Sequence, residues 1–319
     1  MANVEAGEPA RAFALRPACT GRVSLTLLAR ACRLPFIIAC VLPYIAGASF
    51  PGRALDALRF ALGLVAVAAG HLSANLVNDY ADSRSGADWR DDQHFGFFGG
   101  SKVIQHGLMK EAAFLKLAVS AGAVSLVSCI VLSVVAGDVF PVAGAAIVLL
   151  WAWAYSCRPF QLAYRRLGEA TTLVLFGPVT VLAGVYCRQG LEMWRLAVWP
   201  GIVCGLMTTG ILVANEVPDY ATDAQAGKRN LVGVLGPKAG WWAYLLIVLL
   251  AMAALVFAAA RGSMGQLGLL GLSAAIPASW AGWILRRRWD DPPGLVASAR
   301  LGILAQALAA VGCIAGALS

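Results

Sequence analysis

The chain alternates long apolar runs with short polar connections. The runs have the length of membrane spans, since a helix that crosses a bilayer needs about 20 mostly apolar residues. Nine such runs occur, at about 33–50, 56–77, 112–135, 139–157, 169–187, 194–214, 239–260, 265–285 and 297–317. They predict an all-α, polytopic membrane protein with about nine transmembrane helices in a bundle, because in lipid every backbone polar group must be satisfied internally. Small residues within the runs (Gly63, Gly70, Gly177, Gly184, Gly205 and Gly210) suit close helix approach. Pro178 and Pro200 are candidate kink points.

Composition agrees. Of 319 residues, 60% are hydrophobic and 13% are charged, about half the charge density of a soluble domain, which is about 25%. Such a chain cannot cover a water-facing surface. Its net charge of +8 would suggest nucleic acid in a soluble protein. Here the charges sit between apolar runs, no Lys/Arg tract has interleaved aromatics, and no nucleic-acid partner is expected. None of the eight cysteines forms a C-x-x-C pair, and most lie inside apolar runs, where a thiol behaves as a small hydrophobe.

The charges also orient the bundle. Residues 1–24 lack an apolar stretch ending in a cleavage site, so they are expected to be a cytoplasmic tail preceding one domain at 25–319. With the N-terminus in the cytoplasm, 20 of the Lys and Arg residues fall on the cytoplasmic side. Only Arg53, Arg59, Arg188, Arg195 and Arg261 fall opposite. This is a clear positive-inside bias, and an odd number of spans places the C-terminus outside.

Two cytoplasmic connections, at 78–111 and 215–238, are longer than a helical hairpin needs. Eight of the 17 acidic residues cluster within them: Asp79, Asp82, Asp88, Asp91 and Asp92 in the first, and Glu216, Asp219 and Asp223 in the second. The two echo each other. Asn78-Asp79-Tyr80-Ala81-Asp82 and Asn215-Glu216-Val217-Pro218-Asp219 share the order Asn, acid, two spacers, Asp, each directly after an apolar run. Spacings of three and four place carboxylates on one helix face. Helices continuing past the apolar runs would turn both pairs toward a shared cavity.

Such a cavity suits magnesium, which takes one or two carboxylates, waters and phosphate oxygens. Lys102, Lys228 and Arg229 follow the clusters and are natural phosphate partners. Two carboxylate pairs could hold ions that bridge to one diphosphate and neutralise charge developing on it as a leaving group. The plain alternative is that the acids cap helices and solvate loops, but two matching clusters with basic residues after each argue against it. A cation transporter would also use acidic clusters, although its site belongs near mid-membrane rather than at helix ends. His71, His94 and His106 show no zinc spacing, and His71 is expected to be a satisfied helix residue.

These motifs resemble those of the UbiA superfamily of intramembrane aromatic prenyltransferases, and the likeness covers nearly the whole chain. Asn215 to Asp223 followed by Ala226-Gly227-Lys228-Arg229-Asn230-Leu231 carries it. So does Tyr155-Ser156-Cys157-Arg158-Pro159 with Leu162, Tyr164-Arg165 and Leu167-Gly168-Glu169. In the first loop, Asp82 is followed by Ser85-Gly86-Ala87-Asp88 and then Gly99-Gly100-Ser101-Lys102-Val103-Ile104. That arrangement is similar to the menaquinone-type branch, which prenylates 1,4-dihydroxy-2-naphthoate. The stretch from Trp89 to Phe98 has no match there.

The resemblance implies a Mg²⁺-dependent prenyltransferase of a bacterial-type cytoplasmic membrane, with both loops cytoplasmic and a central cavity open to lipid for the prenyl chain. It implies Asp79, Asp82, Asp88, Asp219 and Asp223 as metal ligands, with Asn78 and Asn215 orienting them. Lys102, Lys228 and Arg229 would contact the diphosphate, and Arg165 the diphosphate or the acceptor. Tyr155 would stabilise an allylic cation through its ring face. Glu169 is either the partner of a nearby base or a helix-start carboxylate. Another quinone precursor, a porphyrin-type ring or a glycerol phosphate stays open as acceptor.

Overall fold

A computed structural model of the chain describes residues 24–89 and 93–319. Residues 1–23 of the expected N-terminal tail, and Asp91 and Asp92 of the first loop, lie outside the described residues. The described chain is helical, with no strand among them. In order come α1 (Leu25–Ala31), α2 (Ile38–Ala48), α3 (Ala57–Ser85), α4 (Glu111–Ala136), α5 (Phe140–Ser156) and α6 (Gly168–Gln189). Then follow α7 (Val198–Ala226), the short α8 (Leu231–Leu235), α9 (Gly240–Ala260), α10 (Gln266–Arg288) and α11 (Pro292–Leu318).

Among the described residues, seven helices are long and apolar enough to cross a membrane. The first expected run is a broken span, bent by 58° between Leu25–Ala31 and Leu34–Ala48. The break falls at Arg33, whose left-handed φ of 50° no helix tolerates, with Pro35 at the start of the next segment. The run expected at 139–157 forms a shorter apolar helix of 17 residues.

The largest departure from the expected boundaries concerns the acidic motifs. Neither lies in a loop: α3 runs eight residues past its expected end and α7 runs twelve past its own. Each helix stops at a glycine in the left-handed region, Gly86 at φ 83° and Gly227 at φ 77°. A C-cap glycine after the last polar turn is the physical stop signal, and it marks the boundary better than the end of hydrophobicity does. At its other end, α3 starts at Asp56, whose carboxylate accepts the N–H groups of Leu58 (2.9 Å) and Arg59 (3.0 Å).

The bundle packs α3 on α4, α2 on α6, α7 on α9 and α11 on α10 and α7. The main core lies among α7, α9, α10 and α11, with Tyr244, Leu255, Leu285 and Leu295 almost wholly buried. Helix α6 meets α7 through bare backbone: a Cβ on Gly177 would collide with the Gly201 carbonyl oxygen and come within 2.8 Å of Gly205 Cα. Pro178 lies in a π turn at Leu175–Val179, where the wider ring absorbs the missing N–H. Pro200 occupies the first turn of α7, whose N–H groups have no intrahelical partner in any case.

Candidate active site

Because α3 and α7 extend past their apolar runs, their polar ends converge on one cavity of about 900 Å³ at one end of the bundle. Both motifs meet at Lys228, which follows the Gly227 cap. Its ammonium donates to Asp82 Oδ2 at 2.8 Å and stands 3.4 Å from Asp223 Oδ1. One carboxylate comes from each motif. Burial works against the charge on Lys228, but Asp82 and Asp223 outweigh it and hold the group well above its ordinary value. Asp82 is further fixed by the Tyr164 hydroxyl (3.0 Å) and by Asn78 Nδ2 (3.4 Å), which also donates to Ser156 Oγ (3.1 Å). Burial, with Asp82 beside it, pushes the Tyr164 phenol up to about 12.

The connection between α3 and α4 closes the cavity. Asp88 pairs with Lys102, whose Nζ lies 3.3 Å from Asp88 Oδ1 and donates to the Asp88 carbonyl at 2.9 Å. Burial pushes the Asp88 carboxyl up to about 7. Asp82 adds to this rise and Lys102 works against it. Gly99, Gly100 and Lys102 all have positive φ, and this turn aims backbone N–H groups at the acids. Gly99 N donates to Asp219 Oδ2 (3.1 Å) and Ser101 N to Asp79 Oδ2 (3.0 Å). A Cβ on Gly100 would lie 2.7 Å from Asp88 Oδ2, so this approach needs glycine.

The stretch from Trp89 to Phe98, unmatched in sequence, takes part through its described end. Phe98 is buried and stacks on Phe95. The Phe97 carbonyl accepts Arg33 Nη2 (3.3 Å) and Asn215 Nδ2 (3.2 Å), joining the first span to α7.

Asn78, Asp82, Asp88, Lys102, Tyr155, Asn215, Asp219, Asp223 and Lys228 all line the cavity. Asp79 is buried just behind them, 3.9 Å from Arg33 Nη1. Two expected residues stand elsewhere. Arg165 is exposed and donates to the Pro159 carbonyl at 2.8 Å. Arg229 is exposed, and only its carbonyl is engaged, by Arg166 N at 2.9 Å. Arg229 directly neighbours the cavity residues Lys228 and Asn230, and Arg165 follows Tyr164, which bonds to Asp82, but both arginine side chains are exposed. Lys102 is bound to Asp88, and Asn215 holds the Phe97 carbonyl.

Glu169 lies in the first turn of α6 and accepts the Leu231 N–H at the start of α8. Glu216 accepts Val232 N there at 3.4 Å. Sequence reasoning missed Arg33, Tyr164 and Asn230. Arg33 had a signal, a lone cation at the edge of an apolar run just before Leu34-Pro35. Asn230 Nδ2 donates to Asp223 Oδ2 at 2.9 Å while its Oδ1 caps α8 through Gly233 N at 2.7 Å; nothing in the local pattern separates these tasks.

The donor set fits a hard divalent cation. Six carboxylates (Asp79, Asp82, Asp88, Glu216, Asp219 and Asp223) and three amide side chains (Asn78, Asn215 and Asn230) sit together, and Asp79 Oδ1 and Asn215 Oδ1 are buried with no hydrogen-bond partner among the described residues. As the lysines are placed, no three acidic groups among the described residues converge on one point. Below the polar cavity, on the same helices α3 and α5, lies an apolar chamber of about 1050 Å³, lined by Ala74, Val148, Ala152 and Phe176 among others.

Residues 40–302 match the UbiA prenyltransferase family. The chain belongs to that family. It is 30% identical over 184 residues to the 1,4-dihydroxy-2-naphthoate octaprenyltransferase of Mycobacterium tuberculosis, covering 58% of each chain. It is 30% identical over 207 residues to the Escherichia coli protein of the same name, covering 64% of this chain and 65% of that one. It is 32% identical over 168 residues to the 2-carboxy-1,4-naphthoquinone phytyltransferase of Synechocystis, covering 52% and 51%. The chain thus spans less than two thirds of these relatives.

The fold is that of a UbiA homologue from Aeropyrum pernix, with TM-score 0.67 at 16% identity over 86% of this chain and 95% of that one. A homologue from Archaeoglobus fulgidus, solved with GPP and Mg²⁺, gives 0.59 at 16% identity over 87% and 97%. This UbiA-family chain is an integral membrane protein.

Proposed function

We propose that this chain transfers a prenyl group from a prenyl diphosphate to an oxygenated aromatic acceptor, a naphthoate, within the membrane and with Mg²⁺ as cofactor. The observation that carries this reading is the meeting of Asp82 and Asp223, one from each motif, on the Lys228 ammonium, with an apolar chamber further along the same helix α3. The naphthoate acceptor is supported by the names of the relatives at about 30% identity.

In the proposed reaction the allylic C–O bond breaks and the diphosphate leaves with the electron pair. A ring carbon of the acceptor attacks the allylic cation to form a C–C bond. Loss of a proton or carbon dioxide from the ring restores aromaticity. Bound Mg²⁺ supplies charge neutralisation on the leaving group, and Asp79, Asp82, Asp219 and Asp223 are the residues to hold it. Lys228 and Lys102 place ammonium charge where phosphate oxygens arrive. Tyr155 lines the polar cavity, where its ring face can stabilise the cation. The proposed orientation puts this end of the bundle in the cytoplasm, where water-soluble diphosphate and metal are available.

The test is a product assay on purified protein with a labelled prenyl diphosphate and Mg²⁺, offering 1,4-dihydroxy-2-naphthoate and 4-hydroxybenzoate side by side. Prenylated naphthoate should form, and Asp82→Asn and Asp223→Asn should each abolish it. Product from 4-hydroxybenzoate alone would overturn the acceptor, and indifference to both substitutions would overturn the site.

A further inference from the structure

Helices α9 and α10 meet in antiparallel register. Leu245 of α9 packs on Gly282 of α10, where a Cβ would lie 2.6 Å from Leu245 Cδ2. Four residues away on each helix, the Arg286 guanidinium stands over the Trp241 ring, 4.9 Å from its centroid. Three residues further, Lys238 in the turn before α9 stands over Trp289, just past α10, at 5.0 Å. Each step back along α9 is matched by an equal step forward along α10, so these last two contacts lie about 5 Å apart along the seam. Arg287 adds a third cation, 6.0 Å from the Trp283 ring. A Cβ on Gly240 would come within 2.5 Å of Val217 Cγ2, so the start of α9 packs beside the acidic motif of α7, at the end of the bundle that holds the polar cavity.

The charge at this seam is unanswered. Lys238, Arg286 and Arg287 are exposed, and no carboxylate among the described residues pairs with any of them. The ion pair at the end of α10 joins Arg288 to Asp291 at 3.6 Å and leaves these three out. With Arg288, Asp290 and Asp291 included, four cations still face only two carboxylates. The aromatic faces hold the long side chains in place, but a ring carries no net charge with which to neutralise them.

Next to the cations, the same two helices turn large apolar side chains outward. Trp242, Leu246 and Leu249 of α9, and Ile276, Trp280 and Trp283 of α10, are all exposed. In an integral membrane protein such faces meet hydrocarbon, and tryptophans gather where hydrocarbon gives way to headgroups. A soluble acidic protein would match the charge but not these apolar flanks. A free phosphate would use the charge alone. A molecule with a phosphate at the head of two hydrocarbon chains matches both.

We propose that the α9–α10 seam binds an anionic phospholipid of the surrounding bilayer, with its phosphate held by Lys238 and Arg286 and its chains laid against the exposed apolar side chains of the two helices. Trp241 and Trp289 serve as platforms that pre-order the two cations, which lowers the cost of fixing them on the headgroup. The bound lipid bridges the start of α9 to the end of α10. This site is separate from the polar cavity and does not depend on the reaction carried out there.

The experiment uses the full chain, purified in a neutral detergent and stripped of lipid. It is titrated with phosphatidylglycerol and with phosphatidylcholine of the same acyl chains, and bound lipid is counted by native mass spectrometry. A basic residue near an anionic lipid surface contributes about fivefold in affinity, so two should give wild type a preference of about 25-fold for phosphatidylglycerol. Lys238→Gln with Arg286→Gln should cut that preference at least fivefold. Lys110→Gln with Lys116→Gln removes two exposed charges elsewhere and should leave it unchanged. Lys238→Arg with Arg286→Lys keeps both charges and should retain most of it. Millimolar inorganic phosphate should not displace the lipid.

A wild type without preference, equal losses in the two neutralised pairs, or a preference that survives Lys238→Gln with Arg286→Gln would overturn the proposal. Loss of the preference in the charge-keeping exchange would overturn it too, because packing rather than charge would then set the affinity. Displacement by inorganic phosphate would assign the cluster to a free anion instead of a lipid.

Discussion

Replacing Lys228 by methionine keeps the aliphatic bulk and removes the one charge shared by the two motifs. Its ammonium lies 2.8 Å from Asp82 and 3.4 Å from Asp223, and the flanking side chains are 17%, 8% and 16% exposed. Removing one partner of a buried ion pair costs about 3–5 kcal/mol, because the remaining charges lose their compensation. The lysine is not wholly enclosed and the carboxylates can relieve their repulsion by taking up a proton, so the lower end, about 3 kcal/mol, is expected. For a chain of 319 residues that corresponds to a fall of about 4–5 °C in the apparent melting temperature.

The assay is thermal unfolding in detergent at neutral pH, with chelator and with millimolar Mg²⁺. Lys228→Met should lose stability in chelator and regain much of it with Mg²⁺, since a divalent ion can answer the exposed carboxylates. The double variant Lys228→Met, Asp223→Asn should be more stable in chelator than the single one. A single variant as stable as wild type would refute the reasoning. So would a double variant less stable than the single, because the lysine would then not be balancing these two acids.

Two further outcomes follow from the same structure. The Asp88 carboxyl titrates near pH 7 in the folded chain, against an ordinary value of about 3.9; its contribution to stability is therefore full below about pH 4, declines as the pH rises to about 7, and is flat beyond. In metal-free protein Asp88→Asn should remove that decline, and unfolding temperatures across this range that keep the wild-type slope would assign it to another group. Gly177→Ala would drive a Cβ into the Gly201 backbone, an overpacking cost of about 1–3 kcal/mol, visible as a lower melting temperature; an unchanged value would mean that α6 and α7 slide apart freely.

Much of the fold was legible because membrane helices are a local matter. Apolar length decides insertion, and each helix closes its own hydrogen bonds, so eight of the nine expected runs appear as single helices close to their expected positions. The convergence of both acidic motifs on one cavity was also legible, because the spacing of their carboxylates and the polarity of their flanks reside in a few adjacent residues.

What hydrophobicity could not locate were the helix ends. Those are set by the glycines at 86 and 227, which permit a left-handed cap, and the motifs moved from loops onto helices as a result. The individual partners were decided by tertiary structure alone. Lys228 reaches Asp82 across 146 positions, and Arg33 reaches the Phe97 carbonyl only because its own left-handed backbone breaks the first span. Arg229 was expected in the site because it follows the second cluster and Arg165 because its motif resembles the family's, yet position along a chain says nothing of which way a turn points its side chains. His71 carries the same lesson. Composition made it one polar residue in an apolar run, and only the packing of α3 against the chamber shows which of its nitrogens is satisfied and which is not. A pairing between distant segments is a property of the folded bundle, where burial removes water as the competing partner, and no local pattern encodes it.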